Sequence, residues 1–157
     1  IKNSKNRIPY GVDLIQKYKR ESWIVFTENK KQAKEFNKII NTKGFRSALY
    51  NTDLDSTERL ENLNKFKKAD LNVLVTCTAL DEGFDMPEAD GALILSASSS
   101  KRQRVQRMGR VLRITENKPN ALIVTVYSSK TEFDKLMEEA KRYHKEGVPV
   151  SWKRQDR

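Results

Sequence analysis

The sequence runs to 157 residues, the size of one ordinary domain, with 37% apolar and 33% charged residues and only six glycines and four prolines. That mixture supports one sizeable core and excludes collagen-like and wholly disordered chains. Thirty-one Lys and Arg against 21 Asp and Glu give a formal charge of +10, which favours polyanionic partners such as nucleic acid or nucleotide phosphates.

In chain order, residues 1–20 carry Lys2, Lys5, Arg7, Lys17, Lys19 and Arg20 against Asp13 alone. Such a segment serves either as a solvated flank or in tracking phosphates, and Tyr10–Arg20 reads as an extra helix within it. Trp23–Thr27 (WIVFT) reads as a buried strand with Trp23 packed at its start. A helix follows over Lys30–Thr42, where Ala33, Phe36, Ile39 and Ile40 recur at helical spacing and Gly44 supplies the stop. Arg46–Tyr50 is a second strand. Ser56 then caps a helix to about Phe66 with Leu60, Leu63 and Phe66 on one face, and Asn72–Thr76 (NVLVT) is a third strand.

Gly91–Leu95 (GALIL) and Ala121–Tyr127 (ALIVTVY) make two further strands, separated by a helix through Lys101–Arg113 and followed by one over Glu132–Tyr143. Strands without polar alternation, separated by helices, call for a parallel sheet covered on both faces. The expected fold is therefore an α/β doubly wound domain over residues 21–146, with the basic flank and extra helix over 1–20 before it. Residues 147–157, with Pro149, form a loose tail. No apolar run reaches the roughly 20 residues of a bilayer-spanning helix, so no membrane partner is expected.

Cys77 and His144 are the sole cysteine and histidine. A disulfide within this sequence is thus excluded, a zinc site or a Ser/His or Cys/His hydrolase is poorly supported, and Cys77 is expected to be an inert packed thiol. An intracellular setting follows as the default, cytoplasmic, or nuclear in a eukaryote. The chain opens on Ile1 rather than Met, which suggests a piece of something longer.

In doubly wound sheets, ligands collect at the carboxyl ends of the strands, which directs attention past Thr27, Tyr50, Thr76 and Leu95. Over Lys101–Arg113, Val105, Met108, Val111 and Leu112 fall on an apolar stripe, while Gln106, Arg110 and Arg113 form a second stripe spaced i, i+4, i+7. Two guanidinium forks and an amide facing one way suit a phosphate; spacing alone also allows, and by itself favours, a basic face lying on solvent or loosely on nucleic acid. Thr76–Pro87 (TCTALDEGFDMP) follows a buried strand with Gly83, Asp85 and Pro87 in turn. It is either a phosphate- and sugar-binding loop or a plain crossover turn.

Both clusters resemble the second motor domain of superfamily 2 helicases and translocases, a RecA-like fold. T-x(6)-G-x-D-x-P at Thr76–Pro87 is similar to that family's motif V, Q-R-x-G-R-x-x-R at Gln106–Arg113 (QRMGRVLR) to its motif VI, and WIVFTEN at Trp23–Asn29 to motif IV. The wording looks closest to XPB-type and restriction-type DNA motors. The resemblance implies that Arg113, as arginine finger, and Arg110 reach the γ-phosphate of ATP on a partner RecA-like domain, with Gln106 beside them. It further implies that Gly83 and Asp85 line the nucleotide, Asp85 towards the ribose, and that Thr76 and Thr27 hydrogen-bond the nucleic-acid backbone. Asn51–Arg59 departs from the common HGxxxxxxR pattern, with Tyr50 and Asn51 where His and Gly are often seen.

No G-x-x-x-x-G-K-[ST] loop and no suitably placed DE-x-H or DE-x-D occurs in the sequence, and ATP-driven motors need such elements to hold phosphates and Mg²⁺. The expectation is a C-terminal motor domain of an ATP-dependent DNA helicase or translocase. Its ATP and Mg²⁺ would be bound mainly by an N-terminal RecA-like domain, DNA would be favoured over RNA, and the domain alone would be inactive. The alternative is a nonenzymatic nucleic-acid-binding module on the same fold.

Overall fold

Trp23–Phe26 is buried at all four positions, which a strand achieves only between two paired neighbours and under cover on both faces. In the computed structural model, which describes residues 7–51, 53–77, 89–96, 122–126 and 130–145, this segment is β1 and lies at the centre of a five-stranded sheet. The other strands are β2 (Ser47–Leu49), β3 (Val73–Thr76), β4 (Gly91–Ile94) and β5 (Leu122–Thr125), in the order β2-β3-β1-β4-β5, every pair parallel. Phe26 stands opposite both Thr76 and Ile94, so the three central strands end level at the carboxyl edge. Among the described residues the helices are α1 (Arg7–Lys17), α2 (Lys30–Thr42), α3 (Ser56–Lys67) and α4 (Lys130–Lys145). The α/β doubly wound architecture expected from the sequence is the one observed.

Because alternate strand residues point to opposite faces, the sheet carries two cores. On one face Trp23, Val25, Val75 and Leu93 meet Val12 and Ile15 of α1 and Phe36 and Ile40 of α2. On the other, Ile24, Phe26, Leu74 and Ile94 meet Leu63 and Phe66 of α3. Helix α1 sits close because Gly11 has no side chain: a Cβ there would come within 3.0 Å of Leu95 Cδ2 and 3.2 Å of Leu93 Cδ2. Arg7, counted above with a solvated or phosphate-tracking flank, is instead buried, its Nη1 donating to the Val126 carbonyl at 2.9 Å.

Helix α2 stops as its sequence predicts, with Gly44 at φ +90° just past the cap. Helix α3 corrects two readings. Its N-cap is Asp55 rather than Ser56, the Asp55 carboxylate accepting from Glu58 N at 2.8 Å; an acceptor one residue earlier reaches the free N–H groups from outside the first turn. Leu60 is 58% exposed. The buried side of α3 is centred between Leu63 and Phe66, and at 100° per residue Leu60 points about 90° away from that centre. The helix expected over Lys101–Arg113 and the tail 147–157 lie outside the described residues.

Candidate functional site

The level ends of β1 and β3 bring Thr27 and Thr76 together, as backbone pairing alone requires. Thr27 N donates to the Thr76 carbonyl at 2.9 Å. The Thr27 hydroxyl lies 3.2 Å from that same carbonyl and 3.2 Å from the carbonyl of Asn29, and its one proton serves one of them at a time. The Thr76 hydroxyl donates to the Tyr50 carbonyl, at the end of β2, at 2.6 Å. Both threonines are buried, so each hydroxyl proton is engaged within the protein.

Asn51 extends this polar layer. It is buried, and its side-chain oxygen accepts from Cys77 N at 3.2 Å, with the Cys77 thiol 3.5 Å from the same atom. Asn51 thereby holds the chain just as it leaves β3 towards the motif V-like segment. Cys77 is buried, as expected of a packed thiol. The turn after Asn51 is closed by Leu54 N donating to the Asn51 carbonyl at 3.1 Å, and it presents Asp53. The two carboxylate oxygens of Asp53 are divided between Lys30 Nζ at 2.6 Å and Lys34 Nζ at 3.7 Å, all three side chains being partly exposed. The Lys30 hydrogen bond holds the Asp53 carboxyl below the usual carboxylate range, and the same bond raises the Lys30 ammonium above its ordinary value.

Between β1 and β4 the edge is closed differently. The Ser96 hydroxyl donates to Glu28 Oε2. Glu28 N donates to Gln32 Oε1 at 2.7 Å, while Gln32 N donates to the Asn29 side chain at 2.9 Å, so Asn29 caps α2. A capped helix start and a hydroxyl–carboxylate pair thus fix the two segments that leave the sheet on either side of its topological switch.

Of the site residues read from the sequence, the structure brings together Thr27 and Thr76; Gly83, Asp85, Gln106, Arg110 and Arg113 lie outside the described residues. Sequence reasoning missed Glu28, Asn51, Asp53 and Ser96. Only Asn51 carried a signal, as a departure from the pattern that usually has Gly there. Among the described residues no three His, Cys, Asp or Glu side chains are grouped so as to hold a metal ion, and no helix is long and apolar enough to cross a membrane.

Comparison with known proteins places this edge in a family. Residues 6–115 match the helicase conserved C-terminal domain. The chain is 36% identical over 129 residues to the DNA 3'-5' translocase XPB2 of Sulfurisphaera tokodaii, covering 82% of this chain and 28% of that protein. It is 25% identical over 123 residues to the ATP-dependent rRNA helicase RRP3 of Yarrowia lipolytica, covering 78% of this chain and 26% of that protein. The chain thus spans only about a quarter of the length of these relatives. Its fold is similar to the C-terminal domain of the DEAD-box protein Dbp5, with a TM-score of 0.77, 21% identity, and coverage of 92% of this chain and 82% of that one. With the level carboxyl edge, the motif-like segments and the matched domain in agreement, the chain belongs to the helicase C-terminal domains of superfamily 2, a RecA-like fold.

Proposed function

We propose that this domain is the C-terminal half of an ATP-dependent DNA helicase or translocase motor, working on ATP and Mg²⁺ held mainly by an N-terminal RecA-like domain. The observation that carries the reading is that Thr27, through its N–H and its hydroxyl, closes on the carbonyl of Thr76 at the carboxyl edge, where the segment resembling motif V begins. A phosphodiester only accepts hydrogen bonds. The Thr76 hydroxyl therefore grips a strand by turning from the Tyr50 carbonyl to a phosphate oxygen, and strand binding has to uncover both threonines. DNA is favoured because the relative named as a DNA translocase is 36% identical and the one named as an rRNA helicase 25%.

Arg113 acts in this reading as the arginine finger on the γ-phosphate, with Arg110 and Gln106 beside it and Gly83 and Asp85 along the nucleotide. Alone, the domain hydrolyses ATP negligibly, since its sequence has no G-x-x-x-x-G-K-[ST] loop. In the polypeptide that joins it to a phosphate-binding lobe, Arg113→Ala should cut nucleic-acid-stimulated hydrolysis by about 10³- to 10⁵-fold, the scale of an arginine finger, and leave strand binding largely intact. Retained turnover overturns the finger assignment. Stronger stimulation by RNA than by single-stranded or duplex DNA overturns the choice of track. Strand binding without ATP turnover in the wild-type polypeptide supports the nonenzymatic alternative.

A further inference from the structure

We propose that Asp53 is an internal stand-in for a nucleic-acid phosphate, occupying Lys30 and Lys34 over the exit of β3 until a bound strand displaces it. The proposal rests on the nucleic-acid reading above and adds to it a regulated access point that motif resemblance does not supply.

Three observations carry it. The first is topological. Lys30 opens α2, three residues past Thr27, and Asp53 lies on the turn after β2, while the sheet order is β2-β3-β1. The Lys30–Asp53 bridge at 2.6 Å therefore joins the segments leaving the two strands that flank β3, whose last residue is the fully buried Thr76. A phosphate that reached Thr76 between these two segments would pass this bridge.

The second is chemical. Lys30 and Lys34 are one helical turn apart, and one carboxylate places an oxygen 2.6 Å from the first ammonium and 3.7 Å from the second. A carboxylate and a phosphodiester each carry a single negative charge and offer two acceptor oxygens, so the strand supplies what Asp53 now provides. Both groups are charged at neutral pH in any case, and the shared hydrogen bond, which lowers the Asp53 carboxyl and raises Lys30, moves each further from neutralisation.

The third is mechanical. Asp53 does not sit on a free loop. Asn51 is pinned to Cys77 N and Leu54 N to the Asn51 carbonyl, and Asp55 caps α3. The carboxylate is thus presented from a short anchored turn, whereas the long lysine stems can swing. Partly exposed ion pairs are weak enough for a polyanion to displace.

The test is binding of the 157-residue chain to a fluorescent 20-nucleotide oligothymidylate across a salt series. Asp53→Asn should tighten binding by about two- to fivefold at low salt, the range set by one exposed ion pair. It should also steepen the salt dependence by about 0.7 for each phosphate newly engaged. Lys30→Ala/Lys34→Ala should weaken binding, and adding Asp53→Asn to that double variant should give no gain. Helical circular dichroism and a parallel Asp53→Ser variant separate the effect from misfolding. Wild-type binding with no change in Asp53→Asn, or an equal gain without the lysines, overturns the guard and leaves the nucleic-acid reading standing. Binding by Asp53→Asn but not by wild type supports the guard. Failure of every variant to bind at any salt overturns the nucleic-acid reading and the guard together.

Discussion

The same five strands begin and end in unlike chemistry. At the amino edge, Trp23 fills the space above Gly91, where a Cβ would stand 2.8 Å from the indole ring, and backbone groups are tied by short neighbouring partners: Glu21 N to Asp90 Oδ2 at 3.2 Å and Asp90 N to Ser22 Oγ at 3.1 Å. At the carboxyl edge around β3 the buried groups include two hydroxyls and an amide, Thr27, Thr76 and Asn51, bonded to carbonyls and an N–H that other partners could replace. Shape complementarity offers no substitute state, because a filled volume is lost when disturbed. A hydroxyl can exchange one acceptor for another at little net cost, since the net contribution of a typical hydrogen bond is only about 0.5–1.5 kcal/mol. The amino edge is built to persist and the carboxyl edge to be re-partnered.

Substitutions at the two edges test this contrast. Gly91→Ala should have the largest effect on stability: the buried indole has little room to retreat, and overpacking of this kind costs about 1–3 kcal/mol, read as a lower urea midpoint with strand binding unchanged per folded molecule. Thr76→Val keeps shape and burial but removes the hydroxyl from the Tyr50 carbonyl. It should cost about 1 kcal/mol in the same urea measurement and weaken single-strand binding, the opposite pattern to Gly91→Ala. A Thr76→Val chain that binds strands like wild type would place the grip elsewhere.

The smallest effect is protonation at Asp53. Its carboxyl is depressed in the folded state by the Lys30 hydrogen bond, so whatever the Lys30 bridge adds is present at neutral pH and is lost as pH falls through the depressed folded value. Carboxyl NMR titration should place Asp53 below the usual carboxylate range in wild type and back within it in Lys30→Ala.

Much of the scaffold was legible because its strands are short apolar runs without alternation, a pattern that only a doubly covered sheet accommodates. The strand limits shrank inward: Thr27 and Asn72 engage their neighbours through backbone bonds beyond the regular pairing. Asp55 and Ser56 are both good caps, and residue type does not decide between adjacent candidates. A charge tally cannot separate Arg7, sealed against Val126, from the lysines around it. At the site, Thr27 and Thr76 were legible as strand ends next to motif-like segments. Asn51 and Asp53 were not, because their partners Cys77 and Lys30 stand 26 and 23 residues away in sequence, and only the sheet order brings them side by side.

The seating of α1 sets an order on how the molecule comes together. Its glycine rests against Leu93 and Leu95, and its first arginine reaches a carbonyl 119 residues onward. A helix that precedes every described strand of the sheet therefore waits, during synthesis, for strands made much later before it can dock. Its apolar stripe of Ile8, Val12 and Ile15 is left for a chaperone or a passing neighbour to find in the meantime.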